Sequence, residues 1–248
     1  MIRQLPNFLT LLNVLCGCVA ALFAARGELE LTAIFVFLGI FFDYCDGLLA
    51  RLLHVQSELG IQLDTLADMI TSGLVPGLVM YHLMELSQAG HWTPPGESSA
   101  FDGALWFPFL GFLITLASAY RLARFNLDEN QQTSFIGLPT PANTLLILSL
   151  PLILLYQGND TLNAFLLNPW FLLSQTLLSS FLLNAPISLF ALKFKNWSFK
   201  DNALRYIFVI VSLILLLTLR FMAIPIIIAF YLLSSLFSGI GKDRKAAS

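Results

Sequence analysis

The sequence predicts an all-α fold, a polytopic membrane bundle of six to eight transmembrane helices forming a single domain over residues 1–248, and three observations predict it. Hydrophobic residues make up 57% of the chain and charged residues 11%, where an ordinary soluble domain carries about 25% charged residues. The apolar residues gather into runs near 8–25, 31–50, 62–83, 104–124, 138–156, 165–191, 203–219 and 221–240, each close to the roughly 20 residues a helix needs to cross the hydrocarbon core. Positive charge is one-sided: with those runs as spans, all but Arg26 and Arg220 of the 13 Lys and Arg residues share one side. The positive-inside rule makes that side, and both termini, cytoplasmic, in a cell (inner) membrane.

The runs can be justified in order. The first begins MIRQLPNFLT, with a single Arg and no small-residue cleavage pattern, so it reads as a retained span rather than a cleaved signal. The second and third end in aspartates on the cytoplasmic side. The outward stretches around 84–103 and 157–164 hold Glu85, Glu97, Asp102 and Asp160 and no Lys or Arg. The run 165–191 is the least regular, interrupted by Pro169 and Pro186. Lys193, Lys195 and Lys200 read as a basic loop facing an anionic leaflet, and with a net charge of −2 no nucleic-acid partner is expected. Trp92, Trp106, Trp170 and Trp197 fall near span ends, where interfacial aromatic belts form. Cys16, Cys18 and Cys45 lack the companion ligands of a zinc site and read as small apolar residues. His54 reads as a solvated loop residue, and His82 and His91 lie toward the outer side.

The most informative stretch runs from Asp43 to Asp68, DYCDGLLARLLHVQSELGIQLDTLAD, in a D-x-x-D-G-x-x-A-R…G-x-x-x-D-x-x-x-D frame. One carboxylate deep in a membrane helix costs roughly 3 kcal/mol, so four would cost on the order of 12 kcal/mol unless neutralised. On a helix Asp43, Asp46, Gly47 and Ala50 share one face, and Gly60, Asp64 and Asp68 share another. The stretch from Arg51 to Leu59 is short enough to fold the two helices antiparallel, so the carboxylates would face each other across a narrow cleft. Oxygen ligands of this kind suit Mg²⁺ or Mn²⁺, and two such ions would balance four aspartates. Gly47, Gly60 and Ala50 leave room for a base, ribose or diphosphate to approach the backbone; a packing role is the plainer alternative for each glycine.

That frame resembles, position for position, the signature of the CDP-alcohol phosphatidyltransferases, which displace CMP from a CDP-linked lipid with an alcohol at two divalent ions. The resemblance implies that Asp43, Asp46, Asp64 and Asp68 hold the metals, that Asp68 also acts as catalytic base, and that Gly47, Ala50, Arg51 and Gly60 line the CDP site. Further stretches look like the phosphatidylserine synthase branch. PNFLTLLNVLCG at 6–17 is similar to its first helix and implies Asn7 and Thr10 near the nucleotide. ELGIQLDTLADMITSGLVPG at 58–77 resembles its FG-x-x-LDSLAD-x-x-SFG-x-AP pattern, with Leu59 in place of Phe. RLARFN at 121–126 followed by FIGLPTPAN at 135–143 is the most branch-specific element. The implied substrates are CDP-diacylglycerol and L-serine, the implied surroundings the lipid bilayer, and the implied assembly a homodimer.

Arg121 and Arg124 stand at i and i+3, a spacing that lets both guanidinium groups turn toward the cleft and bind phosphate or carboxylate bidentately, with Asn126 as a neutral partner. Snorkelling to headgroups is the plainer use of both. Within the family, glycerol 3-phosphate or inositol phosphate is the alternative acceptor. Two other classes fit less well. Intramembrane prenyltransferases use aspartate pairs that normally begin N-D-x-x-D and lack the D-G-x-x-A-R run, and a divalent-cation transporter would place carboxylates near the midplane with a route to both sides.

Overall fold

The structure, a computed structural model, describes residues 4–89, 106–127, 135–189 and 199–246. Two helices open it: α1 (Leu5–Ala25) and α2 (Leu29–Leu52). Their buried residues recur at helical spacing and are mostly small: Asn13, Cys16, Gly17, Ala20 and Ala24 on α1, Thr32, Ala33, Val36 and Gly39 on α2. Small residues let membrane helices approach closely, where dispersion replaces the missing hydrophobic drive. Gly27 turns the chain at φ +76°, and a Cβ there would stand 2.7 Å from His82 Nε2, so the turn is open to glycine alone.

A short link, Leu53–Ser57, returns the chain antiparallel. Arg51 and Leu59, expected in this link, are helical instead. Helix α3 (Glu58–Asp68) starts where Ser57 accepts a hydrogen bond from the Gly60 N–H at 3.1 Å, a side-chain N-cap. Instead of ending, α3 passes through a π-helical segment, Met69–Leu74, into α4 (Val75–Ala89). The π segment is buried between helices: Thr71 donates to Asn13 Oδ1 at 2.8 Å, and a Cβ on Gly39 would stand 2.8 Å from both Asn13 Oδ1 and Thr71 Cγ2.

The remaining helices close around that segment. A 3-10 turn (Pro108–Phe112) leads into α5 (Leu113–Leu127), and α6 (Thr140–Tyr156), α7 (Asp160–Leu166), α8 (Pro169–Asn184), α9 (Phe199–Leu219) and α10 (Ala223–Ala246) follow. Thr115 on α5 donates to Gly73 O at 3.0 Å and Thr144 on α6 to Ser72 O at 3.0 Å, consuming carbonyls that the π geometry frees. Asn184 ties α8 to α5 through Ala117 O at 3.0 Å. The apolar core, with Val36, Val79, Met80, Leu83, Ile114, Ile147 and Leu172 fully buried, lies among these helices. Among the described residues the all-α architecture carries one antiparallel two-residue pair, β1 (Phe135–Ile136) with β2 (Ser188–Leu189), which holds the start of α6 against the end of α8.

Leu5–Ala25, Leu29–Leu52, Glu58–Gln88 and the stretch Arg205–Ser235 are each long and apolar enough to cross a membrane. The last is not one rod. Phe208 stacks on Phe230 at 5.7 Å, where a straight helix would hold the rings roughly 33 Å apart; the chain doubles back at Arg220, whose φ is +50°. The expected span 165–191 is corrected too: Pro169 begins a new helix bent 53° from α7, and α8 stops at Asn184, ahead of Pro186. Lys193, Lys195, Glu97, Asp102, His91, Trp92 and Trp197 lie outside the described residues. At the end of the bundle away from the aspartates, Tyr156 donates to Glu30 and Gln157 bonds Leu219 O and the Met222 N–H.

Candidate active site

The last turn of α2 and the link after it shape the site. The Val55 N–H bonds Ala50 O at 3.1 Å and the His54 N–H bonds Arg51 O at 3.3 Å, the two bonds of a Schellman motif. His54 takes the left-handed position at φ 53°, where glycine is usual. After that sharp stop α3 packs against α1, and Asp64 comes beside Asp43 and Asp46. One oxygen each from Asp43, Asp46 and Asp64 lies within 4.8 Å of the others. Helix α1 adds Thr10, whose hydroxyl donates to Asp46 Oδ2 at 2.5 Å.

Asp68 stands apart from this triad and faces a different neighbour. It interacts electrostatically with Asp43, Asp46 and Asp64 and with the Arg121 guanidinium from α5. Among the described residues no Lys or Arg nitrogen lies within ion-pair distance of these carboxylates. Three carboxylates this close repel one another unless a cation sits among them. The donor set, all oxygen and anionic, fits a hard divalent ion.

Two cavities meet at the cluster. The larger, about 320 Å³, is lined by Asn7, Thr10, Asp46, Gly47, Ala50, Arg51, Ser57, Gly60 and Asp64. The smaller, about 180 Å³, is lined by Asp64, Thr65, Asp68, Arg121, Asn126 and Thr140. Asp64 and Ile61 belong to both. The larger cavity therefore gathers every residue expected at a nucleotide site, and the smaller holds the expected base and the arginine.

The two glycines of the larger cavity differ: a Cβ on Gly60 would stand 3.2 Å from Asn7 Oδ1 and from Ser57 Oγ, whereas Gly47 has room. A Cβ on Gly47 would meet nothing closer than Arg51 Nη2 at 3.6 Å, so the fold itself does not demand glycine there. Gly17 and Gly39, by contrast, are pressed against Thr71. Space at Gly47 serves whatever fills the cavity, and Arg51, its Nε bonded to Gly47 O at 2.9 Å, bounds that space.

The two arginines of RLARFN separate. Arg121 is buried and lines the smaller cavity, while Arg124 is exposed and lines neither. Of the two arginines expected to turn toward the cleft, the structure places only Arg121 in a cavity wall; Arg124, one turn nearer the end of α5, is exposed. Asn126 reaches the cavity, held by Thr65: its Nδ2 donates to Thr65 Oγ1 at 3.0 Å. Thr65 and Thr140 went unnoticed in the sequence. The signal for Thr65 was a hydroxyl one residue past Asp64, between two of the frame's aspartates.

The profile of the CDP-alcohol phosphatidyltransferases matches residues 3–181. The chain belongs to this family. The match takes in both cavities and stops before α9, the point beyond which the helices are only generically apolar. Relatives in Bacillus subtilis (30% identical over 144 residues, 56% of this chain and 70% of that one), Helicobacter pylori (31% over 144 residues, 57% and 54%) and Methanocaldococcus jannaschii (30% over 146 residues, 59% and 59%) are each named CDP-diacylglycerol–serine O-phosphatidyltransferase. This chain spans between about half and 70% of their lengths. Membership accounts for the aspartate frame carried by α2 and α3.

Proposed function

We propose that the chain transfers the phosphatidyl group of CDP-diacylglycerol to the hydroxyl of L-serine, giving phosphatidylserine and CMP. The observation that carries this is the pair of cavities sharing Asp64, one sized and lined for a nucleotide, the other holding a carboxylate opposite a buried arginine. The names of the relatives supply serine.

Asp43, Asp46, Asp64 and Asp68 would hold two divalent ions, Mg²⁺ or Mn²⁺. Bound there, the ions would neutralise diphosphate charge, polarise phosphorus and stabilise departing CMP. The chain's own groups do the rest. Asn7, Gly47, Ala50, Arg51 and Gly60 seat the cytidine and ribose end, Thr10 fixes the Asp46 carboxylate, and the acyl chains stay in the bilayer. Serine's hydroxyl is a poor nucleophile near neutral pH, so Asp68 accepts its proton as the oxygen attacks. Arg121 takes the serine carboxylate in a two-pronged contact, with Asn126 beside it. Attack opposite the leaving CMP inverts phosphorus. An acceptor bearing a phosphate would call for more than the one cationic side chain lining this cavity.

The same proposal places the active site and both termini on the cytoplasmic face of the cell membrane. Arg51 and Arg121 mark the aspartate end, and Arg26 and Arg220 occupy turns at the other, as the positive-inside rule requires. The test is CMP release from CDP-diacylglycerol by purified protein in detergent, with serine, glycerol 3-phosphate and inositol phosphate supplied separately. Serine-dependent, metal-dependent release is the expected result; release with another acceptor alone overturns serine, and none with any acceptor overturns the transfer.

A further inference from the structure

The walls of the smaller cavity continue inward as a polar layer. On α3 the cavity is lined by Asp68, on α5 by Arg121 and Leu122, on α6 by Thr140. One helical turn deeper, roughly 5.4 Å, each wall carries a polar residue: Ser72 in the π segment, Ser118 on α5, Asn143 on α6. The three elements are in register at that depth. Thr144, next to Asn143, bonds Ser72 O, and a Cβ on Gly73, next to Ser72, would stand 3.4 Å from Ser118 Cβ.

All three side chains are buried, at 1%, 0% and 0% exposure. Ser72 Oγ, Ser118 Oγ and both amide atoms of Asn143 have no hydrogen-bond partner among the described residues, and neither does Arg121 Nε just above. Buried polar groups left unpaired cost about 1–3 kcal/mol each, and natural proteins keep few of them. Several in one layer, directly beneath a cavity, mark a place for polar matter. The chemistry is specific: three unpartnered oxygens, Ser72 Oγ, Ser118 Oγ and Asn143 Oδ1, belong to one layer a turn below Asp68. An ammonium group offers three N–H donors and a positive charge. The Arg121 guanidinium at the rim suits a carboxylate.

We propose that Ser72, Ser118 and Asn143 form an ammonium-binding floor that receives the α-amino group of the acceptor while Arg121 holds its carboxylate. This rests on the serine reading of the same cavity and adds how an amino acid is told from a hydroxy acid of the same length. The floor distinguishes serine from 3-hydroxypropionate, which keeps hydroxyl and carboxylate and lacks the amine.

The test compares kcat/KM for the two acceptors, by CMP release in detergent, in wild type, Asn143→Ala, Ser118→Ala and Ser72→Ala. Thermal unfolding and KM for CDP-diacylglycerol serve as checks on folding. The expected result is a KM for serine raised tenfold or more in Asn143→Ala, and a preference for serine over 3-hydroxypropionate reduced by a similar factor, with KM for CDP-diacylglycerol within twofold. Smaller losses of the same preference are expected in the two serine variants, which remove one oxygen each without a large volume change. An unchanged preference in all three variants overturns the floor while leaving serine transfer standing. Wild-type turnover with 3-hydroxypropionate equal to that with serine overturns it as well, and absence of serine-dependent release in wild type overturns the reading on which it rests.

Discussion

Thr10 donates its hydroxyl proton to Asp46 Oδ2 at 2.5 Å, joining the first helix of the bundle to a carboxylate of the triad on the second and third. Asp46 is 5% exposed, so little water is available to orient it. The same hydroxyl lies 3.1 Å from Pro6 O, which fixes its rotamer. Partners of this kind hold a ligand carboxylate in place, and losing one typically weakens metal binding about 10- to 100-fold. Thr10→Val keeps the shape and removes the hydroxyl. Titrating Mg²⁺ or Mn²⁺ in a CMP-release assay should show a half-activating concentration raised by about tenfold or more, with activity largely restored at high metal. A metal dependence equal to wild type would show that Thr10 serves the substrate alone.

Asp68 is set off from the three mutually close aspartates and faces Arg121. A base that acts in the chemical step should affect turnover more than binding. Asp68→Asn is expected to lower kcat by roughly 10²–10⁴ while KM for CDP-diacylglycerol changes little. Asp46→Asn should instead abolish activation by metal. Chelation by EDTA should silence wild type and be reversed by added Mg²⁺ or Mn²⁺. Identical kinetic defects in both variants would remove the distinction between base and pure ligand.

The aspartate frame was legible because helical spacing alone decides which faces Asp43, Asp46, Asp64 and Asp68 occupy. The first two helices were legible as apolar runs of span length; their small-residue contact face emerged only from the fold. The π segment was not. Met69–Leu74 reads like any other helix, and its extra residue is stabilised by Thr115 and Thr144 reaching in from α5 and α6, contacts without a local signature. The opposite fates of Arg121 and Arg124 were hidden for a related reason. Spacing gives rotation about α5, whereas burial depends on where α3 and α6 end. The break at Asn168 shows the third limit: Asn168 caps α8 by accepting from the Trp170 N–H at 2.9 Å, so Pro169 opens a helix rather than interrupting one.

Arg121 and Arg124 give a paired prediction. Arg121 is 9% exposed and lines the same cavity as Asp68, with which it interacts electrostatically, whereas Arg124 is exposed at the helix end. Lysine keeps the charge at either position and removes the planar fork. Arg121→Lys should raise KM for serine by about tenfold or more, the loss of a charge-assisted hydrogen bond. Arg124→Lys should stay within about twofold of wild type, as expected of a headgroup-facing cation. Equal effects at the two positions would mean that Arg124 swings into the site when substrate binds.

Gly39 and His54 separate packing from backbone conformation. A methyl group on Gly39 would stand 2.8 Å from Asn13 Oδ1 and from Thr71 Cγ2, two atoms of the contact joining α1 to the π segment. Neither can retreat without breaking the Thr71–Asn13 bond, so Gly39→Ala is expected to destabilise the fold by about 1–3 kcal/mol. It should lower the thermal unfolding midpoint in detergent. His54 presents the reverse case. Its side chain is exposed, and its φ of 53° is a conformation that an L-residue holds at a cost of about 1–2 kcal/mol. His54→Gly relieves that strain, keeps both Schellman bonds and should raise the midpoint, whereas the β-branched His54→Val should lower it. A lower midpoint for His54→Gly would show that the imidazole contributes something at the α2–α3 link beyond tolerating its turn.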